Sequence, residues 1–308
     1  MTGAIRSGSR TLRERDDIHV IAAITAVFAW GIGPILNKAM TVGTPTLVFW
    51  RMVVGLPMMI AMAYYTGGGF SREILRRTAL PGFLFAASFL TGFASVRMTS
   101  IANATLVTTL QPVLVLMVAP KMFGEKLTTK KLSYSALSMC GVLVVVLAAA
   151  STSGAAISGD LLATANVAIW TAYFVLAKKR RLDGVHSWSF LAAVFTWAAV
   201  AVLPFGAVAG NDLFAMTIKD WLCIVGMAVG PGIVGHGLMT WSQSHVDVTL
   251  ASTLGLLSPV ISTALAWMVF GQSLTPLQMI GAAVVIVSLV ALVRIQAPPV
   301  PVVEPASV

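Results

Sequence analysis

Residues 122–128 read MFGEKLT, and residues 269–275 read VFGQSLT. Shifted by 147 residues, the chain matches itself at 10 of 37 positions over 92–128 and 239–275, where composition alone gives roughly 3 or 4. Pro112 falls on Pro259, Phe123 on Phe270, Gly124 on Gly271 and Thr128 on Thr275. A second shift, of 140, sets AWGIGPILNK (29–38) beside IWTAYFVLAK (169–178), pairing Trp30 with Trp170 and Lys38 with Lys178. The chain is therefore a duplication. The decisive question is how the two copies sit relative to one another.

Ten apolar runs near the length of a bilayer crossing answer it. They cover about 18–41, 44–65, 76–97, 101–121, 129–150, 159–178, 187–209, 219–241, 248–269 and 276–294. Hydrophobic residues make up 57% of the 308 positions and charged residues only 10%, against about 25% in a soluble domain; the mean hydropathy is +0.89. The expected fold is all-α and integral to the membrane, with ten transmembrane helices. Five crossings per copy is an odd number, so the second copy enters from the opposite side. Two inverted five-helix repeats result, a plan typical of secondary transporters. The expected division is a tail at 1–17, a first repeat at 18–150, a linker at 151–158, a second repeat at 159–294 and a Pro-rich, disordered tail at 295–308.

The charges agree. With both termini inside, 16 of the 20 Lys and Arg residues fall in inner loops or the inner tail, as the positive-inside bias requires. Lys126, Lys130 and Lys131 lie in or just after the first motif, whereas Ser273, Leu277 and Gln278 take those places after the second. The turn signal is kept and the orientation signal is erased. The expected location is a plasma or bacterial inner membrane, with N- and C-termini cytoplasmic.

The net charge of +9 does not mark a nucleic-acid partner, since the basic residues sit in short loops. No HExxH, GxSxG or paired intramembrane Asp is present, so no enzyme is expected. No cofactor or metal is expected either, and Cys140 and Cys223 lie in apolar stretches unsuited to a structural disulfide. The expected partners are the lipid bilayer and a small molecule, with the chain a monomer.

The two five-helix halves, the F-G-E/Q-x-L-T signal after spans 4 and 9, the prolines within those spans and FWRMVVG in span 2 together resemble the drug/metabolite transporter superfamily, specifically its ten-helix EamA-like exporters. The aromatic amino acid exporter branch (YddG-type) is the most similar in character. The resemblance spans about 18–294 and implies an alternating-access exporter of small metabolites or drugs. The four-helix small multidrug resistance relatives carry a membrane-embedded glutamate eight residues before a lysine. Here Trp30 precedes Lys38 and Trp170 precedes Lys178, so the resemblance does not extend to carboxylate-based proton antiport.

Candidate site residues follow from placement. Trp30 and Trp170 sit mid-span, away from the interfaces where Trp is common. Asn37 and Tyr173 share their faces. Together they make either an aromatic wall for cargo or plain helix packing. His236 follows GPGIVG in span 8 and is either a functional ionisable group or a neutral, hydrogen-bonded one. Gln111–Pro112 and Ser258–Pro259 mark either passive kinks or hinges that open polar groups to a cavity. Ser88 and Thr91 form a small polar stripe that serves packing or a wet wall equally. Lys38 and Arg51, at the outer ends of spans 1 and 2, either snorkel or form a cationic mouth. The expected cargo is amino acids, aromatic and neutral ones favoured. The alternatives are a multidrug or other metabolite exporter of the same superfamily, or a channel.

Overall fold

The computed structural model describes residues 16–98, 107–149, 157–209, 213–271 and 273–295. Among them are α1 (Asp16–Ala39), α2 (Thr44–Tyr65), α3 (Arg72–Met98), α4 (Gln111–Phe123), α5 (Thr129–Ala149), α6 (Ile157–Leu182), α7 (Ser187–Ala209), α8 (Ile218–Ser242), α9 (Val248–Phe270) and α10 (Pro276–Arg294). Nine of these are long and apolar enough to cross a membrane. The tenth, α4, has 13 residues, about 20 Å of helix. The tails, most of the 151–158 linker and Gln272 lie outside the described residues.

The helix contacts obey the inverted repeat. If α1–α5 correspond to α6–α10, then the α1–α8 contact has the α3–α6 contact as its mate, and α1–α9 has α4–α6. The α2–α7, α4–α9 and α5–α10 pairs are their own mates. One self-mated crossing is resolved to the atom. A Cβ on Gly141 would lie 2.9 Å from the Gly281 carbonyl and 2.9 Å from Val285; a Cβ on Gly281 would lie 2.7 Å from the Gly141 carbonyl and 2.9 Å from Val145. The backbones of α5 and α10 touch because neither glycine has a side chain, the usual device where lipid supplies no hydrophobic drive. The buried Ser138 and Ser288 hydroxyls join the same pair at 2.6 Å. Gly281→Val is therefore expected to destabilise the protein by about 1–3 kcal/mol through overpacking, read as a lower melting temperature in detergent. An unchanged melting temperature would show that this crossing can spread at no cost.

The repeated motif turns out to be a helix stop and a helix start. Gly124 and Gly271 take φ of 66° and 65°, the left-handed conformation that costs glycine least. Their amides donate to the Pro120 and Trp267 carbonyls at 3.1 and 3.0 Å. Thr128 and Thr275 then cap the next helix, accepting from the amides of Lys131 at 3.3 Å and Gln278 at 3.2 Å.

Two spans are broken rather than kinked. The sequence places Pro112 inside a continuous span over 101–121. It instead occupies the first turn of α4, where a missing N–H costs nothing, and a turn at Thr109–Leu110 precedes it. In α9 a tightened turn at Gly255–Leu256 separates Val248–Leu254 from Leu257–Phe270. Pro259 has no N–H for the Gly255 carbonyl, and Ser258 donates to it instead at 3.0 Å. In α8 the stretch Ala228–Gly237, which contains Pro231, is a π-helix. Such widened turns recur at functional sites.

Candidate functional site

At the centre, α1, α3, α6 and α8 bring a cluster of rings together. His236 projects from the π-helical stretch and is 4% exposed. Its ring lies 5.4 Å from Trp30, 6.0 Å from Trp170, 5.0 Å from Phe85 and 6.0 Å from Phe89. Trp30 and Trp170 meet edge to face at 6.0 Å, and Tyr173 is 5.2 Å from Trp170. Such offset pairs are each worth about 0.5–1.5 kcal/mol beyond area burial. Gly235 makes room for this: a Cβ there would lie 2.6 Å from the Trp30 ring. Gly235, and Gly237 against Trp188, thus serve close approach of indole to backbone.

The cluster is short of polar partners. The Trp30 Nε1, His236 Nε2 and Gln243 Oε1 atoms there are buried without a hydrogen-bond partner, as is Gln111 Nε2 on α4. Each such group costs about 1–3 kcal/mol unless something binds it. A small cavity of about 10 Å³, bounded by Trp30, Trp170, Tyr173, His236, Thr240 and Gln243, runs below the rings. That is space for about one water molecule, so in this conformation the centre is closed.

The other expected residues divide. Trp30, Trp170, Tyr173 and His236 come together. Asn37 lies two turns along α1 from Trp30, about 10 Å away, and joins the far end rather than the ring cluster. Ser88 donates to the Phe85 carbonyl at 2.8 Å, and Thr91 to the Ala87 carbonyl at 2.7 Å and to Asn166 of α6 at 3.3 Å. Both hydroxyls are engaged at the α3 surface. Ser258 sits at the α1–α9 contact, where Ser262 bridges its carbonyl and that of Gly31 at 3.0 and 2.9 Å. Lys38 is exposed at the end of α1, over the Phe270 ring at 4.9 Å. Arg51 does not snorkel: it is 4% exposed, with its guanidinium over Phe89 at 4.4 Å.

The floor of the centre was missed in the sequence. On the face where α1 begins and α10 ends, Glu125 leaves the first motif and turns inward, its side chain only 4% exposed. It accepts from the amides of Val248 and, at 3.2 Å, Thr249, capping the start of α9 from outside. Lys178 stands 3.8 Å from Glu125 and donates to the Val246 and Gln243 carbonyls at 2.6 and 3.2 Å. Lys131 pairs with Asp247 beside it. Lys178 also lies over Phe123 at 5.6 Å, the repeat mate of Lys38 over Phe270. One lysine of the matched pair is buried and ion-paired, and the other is exposed. The signal that could have found the pair was the alignment of Lys178 with Lys38 and of Glu125 with Gln272.

At the opposite end Asp220, fully buried, accepts from the Thr41 amide at 2.8 Å and its hydroxyl at 3.0 Å, and closes a capping box with Thr217. It ties the α1–α2 turn to the start of α8.

Comparison with known proteins converges on the same architecture. The family model described as "EamA-like transporter family" matches residues 17–147 and again 157–294. The probable amino-acid metabolite efflux pump of Escherichia coli (strain K12) is 26% identical over 282 residues, covering 87% of this chain and 92% of that protein. The aromatic amino acid exporter YddG of Ancylobacter novellus is 28% identical over 182 residues, 56% of this chain and 60% of that protein. A solved crystal structure superposes with a TM-score of 0.74 at 21% identity, covering 90% of this chain and 98% of that one. With two matched halves, ten apolar helices among the described residues and a closed centre between the halves, the chain belongs to the EamA-like transporter family and is a multi-pass membrane transporter.

Proposed function

We propose that the protein exports amino acids, aromatic and other neutral ones first, by alternating access across a plasma or bacterial inner membrane with both termini cytoplasmic. The observation that carries this is the Trp30–Trp170–Tyr173–His236 cluster at the junction of the two repeats. Aromatic faces suit a planar side chain by stacking and an ammonium by cation–π attraction. The named efflux pump and exporter among its relatives support the cargo class and the outward direction. In this reading the Lys178–Glu125 contact is the closed cytoplasmic gate, and the breaks before Pro112 and at Gly255–Leu256, near Pro259, are the hinges. A monomer suffices, because both halves of the site lie in one chain.

Efflux from proteoliposomes loaded with labelled amino acids tests the proposal. Saturable flux of phenylalanine and tryptophan, unaffected by a proton gradient, is the expected result. Flux that strictly requires the gradient would assign proton movement to His236. Ohmic single-channel current would replace the transporter reading with a channel.

A further inference from the structure

Arg51 is the most unusual charge among the described residues. It sits two turns inside α2 and is 4% exposed. Among the described residues its one contact with an aromatic or charged partner of short range is the Phe89 ring, and it makes no hydrogen bond or ion pair. The acidic side chains that could neutralise it are engaged elsewhere: Glu73 with Arg77, Glu125 with Lys178, Asp183 with Arg180, Asp247 with Lys131, and Asp220 with Thr41 and Thr217. A guanidinium carries five donors and does not lose its proton. Buried in a membrane protein without an anion it is costly, and such residues mark ligand paths.

The surroundings fit one ligand chemistry. Phe89 lies against the guanidinium at 4.4 Å and also 6.0 Å from the His236 ring, so Arg51 adjoins the aromatic centre. The other unfilled groups there are Trp30 Nε1, His236 Nε2 and Gln243 Oε1. The indole can only donate and the Gln243 oxygen can only accept. The centre thus offers a fixed planar cation, one unused indole donor, one unused amide oxygen and an apolar ring wall, with no carboxylate among the described residues to fill the cation. A carboxylate matches the guanidinium fork with two parallel hydrogen bonds.

We propose that Arg51, held on Phe89 beside the ring cluster, is the recognition point for a carboxylate of the transported molecule, so that the cargo class is a monocarboxylate with an apolar or aromatic body. The inference rests on the transport reading above and narrows it: the carboxylate is obligatory and the ammonium is not.

Isothermal titration of the purified full chain in detergent with phenylalanine, 3-phenylpropionate and phenethylamine separates the possibilities. Wild type is expected to bind both carboxylates, with phenethylamine at least about 30-fold weaker, the scale set by removing one partner of a buried charge pair. R51Q is expected to lose about 30-fold for both carboxylates, and R51K to fall between. Should R51Q fail to fold, the wild-type ranking of the three ligands decides. Phenethylamine binding as tightly as 3-phenylpropionate overturns the proposal, as does a folded R51Q with unchanged affinity for the carboxylates. Arg51-dependent binding of 3-phenylpropionate without phenylalanine supports the anion site and sinks the amino-acid reading. Phenylalanine bound independently of Arg51 does the reverse. Binding of none of the three overturns both.

Discussion

Lys178→Met is expected to destabilise the folded protein by about 3–5 kcal/mol, the cost of leaving a buried partner charge uncompensated. Lys178 and Glu125 side chains are 7% and 4% exposed, so solvent does little to relieve either. The loss would remove much of the 5–15 kcal/mol that holds a typical protein together. Glu125→Gln in the same background should restore most of it, because an amide oxygen still accepts an amide hydrogen of α9 and no bare charge remains. Thermal unfolding in detergent of the two single variants and the double variant checks this. Equal stability of all four proteins would mean that the pair is incidental.

Trp170→Ala is expected to raise the half-saturating concentration of an aromatic amino acid about tenfold, the 1.4 kcal/mol that one lost aromatic contact accounts for. Trp170 touches Trp30, Tyr173, Phe85 and His236, so truncation also opens a hole and lowers stability by about 3–5 kcal/mol. Trp170→Phe separates the two effects by keeping a ring in place. Transport kinetics in proteoliposomes, normalised to folded protein, provide the measure. Unchanged kinetics with a lowered melting temperature would leave the indole a packing role alone.

Much of the fold can be read directly from the residues, because hydropathy, lysine placement and the duplicated motif all act over short stretches. The site is less legible. Trp30 and Trp170 could be paired because the repeat aligns them, and Tyr173 and His236 because they lie mid-span. Pro112 looks the same in a sequence whether it interrupts a helix or begins one; only the turn at Thr109–Leu110 decides. Arg51 lies near enough to the end of α2 to snorkel, and what holds it inside is Phe89 on a different helix. Glu125 reads as a turn residue because its partners, Lys178 and the amides of Val248 and Thr249, lie far along the chain. The Arg51 and Glu125 failures each concern a tertiary partner that no local pattern encodes.

The buried Lys178 and the exposed Lys38 carry one further meaning. A molecule made of two identical inverted copies has no preferred direction, because opening either way costs the same. Here the two copies differ at many positions, among them Glu125 against Gln272, and among the described residues only Lys178 of the matched lysines pairs with a carboxylate. The energies of the two orientations are thereby unequal, and a machine built on a symmetric plan acquires a default side without any separate regulatory part. Gln272→Glu, which places a carboxylate there, should bring it toward indifference.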